Sequence, residues 1–342
     1  MEIIKIDGSF GEGGGQILRS AVTLSAITGK PIEIENIRKN RKVSGLRPQH
    51  LVGIKILKKI CNARVEGLYV GSTGLKFFPS QVCNLELKEN VGTAGSIPLI
   101  LQVLIPAVSL SKKNLRLSII GGTDVPWSST CDYTRFVVGE AFSRMGINFS
   151  MIIKKRGYYP KGGGQVEVEV LPCKKINPIS LLKRTTLTAQ ILCSFYKISA
   201  QLIETELSEA RRILERVGFL CHCETKEEPA ADSGSSFLIY AHDADSVTGS
   251  DLIYRNTTKG MGQSIASAFL EAGLGVDTFL SDMLVVPLSL VDHVSVFRVN
   301  KITKHLETNL FVASKITGCK YGIGKLEDGF EVRLEGVSNA LI

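Results

Sequence analysis

The chain has 342 residues, enough for about two domains with cores of their own. Hydrophobic residues make up 44% and charged residues 22%, which excludes a fibrous or disordered chain and is typical of a soluble globular protein. The formal net charge of +8 favours an anionic partner without identifying it.

The cysteines and the amino-terminal sequence indicate where in the cell the protein is expected. The eight cysteines form no CxxC pair, which argues against a zinc ribbon or a dithiol redox motif. The sequence opens directly on a predicted strand without a leader peptide, and no apolar run approaches membrane-spanning length. We therefore expect a reduced, cytoplasmic enzyme or binding protein.

The predicted elements repeat along the chain. The first copy is the strand "EIIKIDG", a glycine-rich loop, the helix "QILRSAVTLSAITG", the strand "KPIEIENI" and a second helix that begins near Pro48. The pattern recurs from "GSIPLILQVLIPAVSLS" and again from "FLSDMLVVPLSLV". Three copies are favoured over generic alternation of strands and helices, which the sequence leaves open.

Additional chain separates the second and third copies. It contains a long amphipathic helix, "ISAQLIETELSEARRILERVG", and strands at "FLIYAH" and "DLIYRN". We therefore predict an α+β fold in which residues 1–183 and 276–342 form a large domain and residues 184–275 form an inserted smaller α+β domain.

The glycine-rich loop, "DGSFGEGGGQ", has two interpretations. Backbone N–H groups at such a loop bind phosphate oxygens, yet Glu12 places a carboxylate in its middle. A tight strand-to-helix turn would also need these glycines. Arg19, Arg41 and Arg47 follow, and they are either phosphate ligands or solvated side chains. A second glycine run, at 162–165, enters a strand and predicts a hairpin turn.

The five histidines argue against a zinc-protease site and leave a role for His305 open. None forms the i, i+4 pair of a zinc protease. His305 opens the last predicted helix, where Thr308 and Asn309 add polar groups. Position alone would make it a surface residue.

Five motifs in order resemble one family. "GEGGGQILRSA", "GLRPQHL", "GGTDVPWS", "FLSDMLVVPLSL" and "HLETNL" are similar to those of the RNA 3'-terminal phosphate cyclase family. The resemblance implies three repeats of a four-stranded sheet backed by two helices, with the smaller domain inserted before the third repeat. Enolpyruvyl transferases share this fold, so the fold alone does not give the function.

The resemblance also implies a reaction. A histidine attacks the α-phosphorus of ATP, AMP passes from it to an RNA 3'-phosphate, and the neighbouring 2'-OH closes a 2',3'-cyclic phosphate. His305 matches the nucleophile. ATP and Mg²⁺ or Mn²⁺ are the implied cofactors and RNA the partner, and a homo-oligomer is compatible with the sequence.

Further site residues are implied by the same motifs. Glu12 matches a metal-binding glutamate, and Arg19 and Arg41 match residues that grip phosphates. Phe279 replaces a frequent tyrosine and Met283 a frequent glutamine, so polar contacts to the nucleotide differ here. The remaining implied residues of the nucleotide cavity are Gln49, His50, Gln102, Asp124, Pro126, Leu280, Ser281 and Asp282.

Two other functions remain to be weighed. A non-catalytic ribosome-assembly factor of the same superfamily would lack the nucleophilic histidine, whereas His305, Glu12 and Arg19 are all present. An enolpyruvyl transferase would need neither the "HLETN" histidine nor a single insertion of this size. The sequence names no specific RNA and gives no role for the insertion.

Overall fold

The computed structural model describes residues 2–254 and 260–337. Within them the chain forms four sheets of four strands each, flanked by helices, which confirms the predicted α+β class. Arg255 and Asn256, the end of the strand predicted at "DLIYRN", lie outside the described residues, as do residues 338–342.

The first repeat alternates strands and helices before a final hairpin. Its elements are β1 (Ile4–Asp7), α1 (Gly15–Thr28), β2 (Ile32–Glu35), α2 (Pro48–Ile60), β3 (Arg64–Glu66) and β4 (Leu75–Phe78). The sheet order is β1-β2-β4-β3, with β1 and β2 parallel and the other pairs antiparallel. Ile32 and Ile34 alternate with glutamates and are fully buried, so one face of the sheet packs on the helices.

The second repeat has the same connectivity. Its elements are β5 (Leu85–Asn90), α3 (Ile97–Leu110), β6 (Leu115–Gly121), α4 (Cys131–Tyr133), a π-helical turn (Thr134–Val138), α5 (Gly139–Arg144), β7 (Phe149–Lys155) and β8 (Gly164–Val170). The sheet order β5-β6-β8-β7 reproduces that of the first repeat. Gly162 and Gly163, in the turn between β7 and β8, have positive φ, in agreement with the predicted hairpin.

The third repeat begins before the insertion. The short strand β9 (Ser180–Leu181) pairs in parallel with Val296 and Phe297, far along the chain. The inserted segment therefore follows the first strand of the third repeat, which refines the expectation that it precedes that repeat. A two-residue strand is too short to show an alternating pattern in the sequence.

The inserted segment has its own sheet and core. Its elements are β10 (Thr188–Tyr196), α6 (Ala200–Arg216), β11 (Leu220–Glu227), β12 (Gly234–Asp243), β13 (Ser246–Ile253) and α7 (Met261–Glu271). Ile191, Phe237 and Phe269 belong to a buried cluster distinct from the main core. We propose that the chain divides at these boundaries, with residues 184–275 as the smaller domain.

The chain then completes the third repeat. Its remaining elements are α8 (Thr278–Leu288), β14 (Val294–Val299), α9 (Lys304–Thr317), β15 (Lys320–Lys325) and β16 (Phe330–Glu335). The order β15-β16-β14-β9 has the connectivity of the other two sheets. Helix α1 packs on α3 and α9, and α8 packs on α3 and α9, so helices of all three repeats meet. None of the helices in the described ranges is long and apolar enough to cross a membrane.

A buried arginine joins the second repeat to the insertion. Arg156 is 2% exposed and donates to Asp132 at 2.7 Å, to Glu228 at 2.8 Å and to Asp124 at 3.3 Å. It also donates to the hydroxyl of Ser194, on β10, at 2.8 Å. One cation therefore compensates carboxylates from both parts of the chain.

Replacing Arg156 by methionine should destabilise the protein by about 3–5 kcal/mol, because the buried carboxylates of Asp124 and Asp132 lose the guanidinium that compensates them. Urea unfolding measures the change. Arg116→Ala is the matched control, since its pair with Glu169 is exposed and is worth about 1 kcal/mol or less. Equal losses in the two variants would contradict this role for Arg156.

Candidate active site

The first turns of five helices surround one cavity. This cavity, of about 540 Å³, is lined from the amino-terminal ends of α1, α2, α3, α8 and α9. Each end carries partial positive charge and N–H groups without helical partners, so the cavity favours an anion. Its lining residues are Glu12, Gly15, Gln16, Arg19, Arg38, Arg41, Gln49, His50, Leu99, Trp127, Thr278, Phe279, Asp282, Thr303 and His305.

The glycine loop is shaped by close approach to two helices. Gly11 has a φ of +63°, and a Cβ there would collide with the hydroxyl of Thr308, on α9. A Cβ on Gly15 would lie 2.5 Å from Nε2 of His50, on α2. The first turn of α1 has no side-chain cap. The structure therefore shows the tight turn, and binding of phosphate by the uncapped N–H groups at the start of α1 stays a prediction.

The buried side-chain amide of Asn309 links α9 to α1, the helix that follows the glycine-rich loop. Asn309, on α9, is 0% exposed. Its Oδ1 accepts hydrogen bonds from the Ser20 hydroxyl at 2.6 Å and from Gln16 Nε2 at 3.2 Å, both on α1. Its Nδ2 donates to the backbone carbonyl of Asp282, on α8, at 2.7 Å. The three helices are thus held in register near the cavity.

Arg19 is fixed by two amides. Its Nη2 donates to Gln16 Oε1 at 2.5 Å, and its Nε donates to Gln102 Oε1, on α3, at 3.0 Å. Burial lowers the pKa of Arg19 to about 10, against the opposing effect of Asp282, so the guanidinium remains cationic at neutral pH. The result is an oriented positive charge in the cavity wall.

His305 is the second residue of α9 and faces Glu12. Its Nδ1 lies 2.8 Å from Glu12 Oε2, while Arg41 contacts the other carboxylate oxygen. The angles at the histidine contact are not those of a hydrogen bond, so we regard it as an electrostatic contact. Burial lowers the pKa of His305; Asp282 opposes this effect, while Arg19 and Arg41 add to it. The lowered pKa favours the neutral imidazole at pH 7.

His50 is held as a neutral hydrogen-bond donor. Its Nδ1 accepts the backbone N–H of Arg47 at 3.1 Å, which places the ring proton on Nε2. Burial, followed by the charges of Arg19, Arg38 and Arg47, lowers its pKa to about 3. At neutral pH it offers one N–H and no charge.

Asp282 is a buried carboxyl group among these cations. Burial raises its pKa to about 7, against a hydrogen bond from the Thr303 hydroxyl, which donates to Oδ1 at 2.8 Å. The same Thr303 oxygen accepts the N–H of Leu306 at 2.9 Å and caps α9. Asp282 is thus coupled to the start of the helix that carries His305.

The structure brings together many of the predicted site residues. Those that line the cavity are Glu12, Arg19, Arg41, Gln49, His50, Phe279, Asp282 and His305. Sequence reasoning missed Gln16, Arg38, Leu99, Trp127, Thr278 and Thr303 as lining residues. Trp127 directly follows the predicted Pro126, and Arg38 lies three residues before the predicted Arg41, so proximity in the sequence to predicted site residues was a usable signal.

Other predicted residues lie outside this lining. Gln102 and Met283 surround a small void of about 10 Å³ beside Arg19. Leu280 and Ser281 lie on the face of α8 turned to the core and are fully buried. Direct contact of these side chains with a nucleotide stays a prediction.

Two residues of the predicted segment 121–126, Asp124 and Pro126, lie in different surroundings. Asp124 is buried beside Arg156, where its carboxylate compensates the guanidinium. Pro126 is partly buried and immediately precedes Trp127, at the cavity. Contact of either residue with a nucleotide likewise stays a prediction.

The donor set at Glu12 fits a cation that is shared with phosphates. Glu12 and Asp282 are the carboxylates of the lining, and the described ranges hold no group of three or more side chains that would bind a metal by themselves. Mg²⁺ is commonly held by one or two carboxylates together with substrate phosphates. Glu12, beside glycines and arginines, suits that arrangement.

A larger cavity lies elsewhere, on the outer face of the second sheet. It measures about 660 Å³ and is lined by residues of β5, β6, β7 and β8. Among the described residues, its lining consists of strand residues and includes no histidine and no helix end. The residues that line the two cavities therefore make the smaller one, which contains His305, the better candidate active site.

Replacing Asp282 by asparagine should stabilise the protein increasingly as pH rises from about 4 to 7, and by a constant amount above 7. The carboxyl group ionises near 3.8 when unfolded and near 7 when folded, so the parent loses stability over that range. Thermal melts across pH measure the difference. Asp292→Asn, at an exposed position, is the matched control for the loss of one carboxylate. A pH-independent effect at Asp282 would contradict this account.

Comparison with known proteins gives the family of the chain. The chain matches the sequence model of the RNA 3'-terminal phosphate cyclase family over residues 10–323. It is 37% identical over 338 residues to the RNA 3'-terminal phosphate cyclase of Methanococcoides burtonii, covering 97% of this chain and 100% of that protein.

Two further archaeal relatives carry the same name. The Pyrococcus abyssi protein is 38% identical, with 92% of this chain and 94% of that protein covered. The Thermococcus kodakarensis protein is 39% identical, with coverage of 93% and 94%. The chain belongs to the RNA 3'-terminal phosphate cyclase family.

Proposed function

We propose that this chain converts an RNA 3'-terminal phosphate into a 2',3'-cyclic phosphodiester at the expense of ATP, by the nucleotidyl-transfer chemistry of ATP-dependent ligases. The observation that carries the proposal is the position of His305. A neutral imidazole lies in a cavity surrounded by helix N-termini and lined by Arg19, Arg38 and Arg41, which is where a nucleotide's phosphates would bind.

ATP is bound through its phosphates by oriented donors. Arg19 is fixed by Gln16 and Gln102, and Arg41 lies on the far side of Glu12 from His305. The half-exposed ring of Phe279 offers a face to the adenine. Glu12 would hold Mg²⁺ or Mn²⁺, and the bound cation would neutralise charge on the triphosphate and on departing pyrophosphate.

In the first step, Nε2 of His305 attacks the α-phosphorus and pyrophosphate leaves. We assign the proton to Nδ1, which faces the carboxylate of Glu12, so that the lone pair is on Nε2. Forming the nitrogen–phosphorus bond places positive charge on the ring. The adjacent carboxylate of Glu12 stabilises that charge.

The second and third steps use RNA. An oxygen of the 3'-phosphate attacks the histidine-bound AMP, and His305 leaves as a neutral imidazole. The 2'-hydroxyl then attacks the activated RNA phosphorus and expels AMP. Asp282, whose pKa lies near 7, is suited to take the hydroxyl proton. Only RNA carries this hydroxyl.

The cysteines support a reducing location. All eight are free thiols, and disulfides are rare in the cytosol. We accordingly place the protein in the cytoplasm. RNA would contact exposed cations close to the cavity, such as Lys39, Lys42 and Arg47.

Incubation with ATP labelled at the α-phosphorus should give an acid-labile protein–AMP adduct, and His305→Ala should abolish it. The reason is that no other side chain of the lining is a neutral nitrogen nucleophile with a free lone pair, since His50 uses its Nδ1. Gel autoradiography after an acid chase measures labelling. His293→Ala, at an exposed position outside the lining, is the control.

Equal labelling of His305→Ala and the parent would overturn the assignment of the nucleophile. A correctly folded parent that takes up no label at any cation concentration would instead favour the non-catalytic assembly factor.

Binding of RNA with a 3'-phosphate should weaken as salt rises, and Lys42→Ala should reduce the slope of log Kd against log salt by about 1. Fluorescence anisotropy of labelled RNA measures both. Lys174→Ala, an exposed lysine outside the cavity lining, should leave the slope unchanged. A flat salt response would contradict electrostatic contact with RNA.

A further inference from the structure

A buried carboxylate begins the helix that carries Phe279. Asp277 immediately precedes α8 and is 4% exposed, and Phe279 is the second residue of that helix. The Oδ1 of Asp277 accepts the backbone N–H groups of Phe279 at 2.9 Å and of Leu280 at 3.0 Å. Such a cap satisfies donors of the first turn and fixes where the helix begins. The backbone of Phe279 is therefore held where Asp277 is held.

Two other parts of the chain hold the carboxylate of Asp277. The hydroxyl of Tyr133, on α4 in the second repeat, donates to Oδ1 at 2.7 Å. The N–H of Gly249, on β13 in the inserted segment, donates to Oδ2 at 2.8 Å. One buried carboxylate thus joins the second repeat, the inserted segment and α8.

The inserted segment also packs closely on Tyr133. A Cβ on Gly249 would lie 3.1 Å from the ring of Tyr133 and 2.6 Å from the side chain of Val137, so a glycine allows β13 to approach this far. Tyr133 is fully buried, and its ring meets that of Phe279 edge to face with the centroids 6.3 Å apart. Tyr133 therefore lies in contact with both β13 and Phe279.

A further hydrogen bond fixes β13 to the helix of Tyr133. Asp251, two residues after Gly249, accepts the N–H of Thr130 at 2.5 Å. The hydroxyl of Thr130 caps α4 by accepting the N–H of Tyr133 at 3.1 Å. Hydrogen bonds in such a network support one another, so β13, Tyr133 and the start of α8 are held as one unit.

This unit ends at the wall of the cavity. Phe279 lines the cavity and is 52% exposed, whereas Asp277 is not part of the lining. An aromatic ring that is already held in place loses little conformational entropy when a base stacks on it. The contacts of Asp277 therefore bear on base binding without touching the ligand.

We infer that Asp277 is a positioning residue through which the inserted segment holds Phe279 in place for the adenine of ATP. This role rests on the proposed function and gives the insertion a part in nucleotide binding. In the proposed function, Arg19 and Arg41 bind the phosphates, and neither belongs to α8. Loss of the contacts of Asp277 should therefore weaken binding of the base and spare binding of the phosphates.

Asp277→Asn removes the link to the inserted segment selectively. Asparagine also caps helices through Oδ1, but its Nδ2 would face the N–H of Gly249, donor against donor. Calorimetric titration with Mg²⁺ compares α,β-methylene ATP with inorganic triphosphate. The variant should bind the ATP analogue about 5-fold or more weakly, the lower limit for loss of one base–aromatic stack, and should bind triphosphate like the parent.

Asp243→Asn is the matched control. It makes the same exchange at a carboxylate of the inserted segment that accepts the N–H groups of Thr185 and Thr186, outside the cavity lining. It should bind both ligands like the parent. If Asp277→Asn does not fold, Tyr133→Phe carries the same test, because it removes one hydroxyl and keeps the ring beside Phe279.

A double-mutant cycle shows whether Asp277 acts through Phe279. Phe279→Ala should weaken binding of the ATP analogue by about 5- to 150-fold, the range for loss of one stack. Adding Asp277→Asn to Phe279→Ala should cause no further loss, because no ring is left to position.

The outcomes separate this role from the proposed function. If the parent does not bind the ATP analogue, the proposed function fails. If the parent binds it, three results would each overturn only the positioning role: unchanged binding by Asp277→Asn, an equal loss of triphosphate binding, or an undiminished effect of Asp277→Asn in the Phe279→Ala background. Binding of the analogue by Phe279→Ala as tightly as by the parent would overturn it as well.

Discussion

The structure depends on one buried polar network that joins the three repeats. Asn309 links α9 to Gln16 on α1 and to the backbone of α8, while Arg19 continues from Gln16 to Gln102 on α3. Buried amides left without partners are costly, so these hydrogen bonds fix one arrangement of the helices. That arrangement places the glycine loop, the arginine and His305 around one cavity.

The repeated fold explains why the cavity favours an anion. Each repeat brings helix amino termini to the centre, and five of them border the cavity. Their combined positive potential lowers the cost of binding phosphates and disfavours a protonated imidazole. The same environment explains the carboxylate in the glycine loop. Glu12 compensates the charge of Arg41 beside the imidazole of His305 in the free protein, and we propose that it holds a cation when phosphates bind.

Sequence patterns predicted the local features and missed those set by distant contacts. The helix at Lys304–Thr317 was predictable because its apolar positions and Gly318 follow standard signals. Strand β9 was not, since two residues show no period and its partner lies beyond the insertion. Trp127 was missed as a cavity residue because its loop contacts distant residues, Ser96 through Ser128 and Arg156 through Asp124, which no local pattern shows. The role of His305 came from family resemblance, as its position alone predicted a surface residue.

The central claim is that Nε2 of His305 can reach the α-phosphorus of ATP. A crystal structure with a non-hydrolysable ATP analogue and Mg²⁺ tests it most directly. The account predicts a nitrogen–phosphorus distance of about 3–3.5 Å, with the pyrophosphate leaving group opposite the imidazole. A triphosphate bound in the cavity with the imidazole pointing away, and no rotamer able to bring it in line, would contradict the claim.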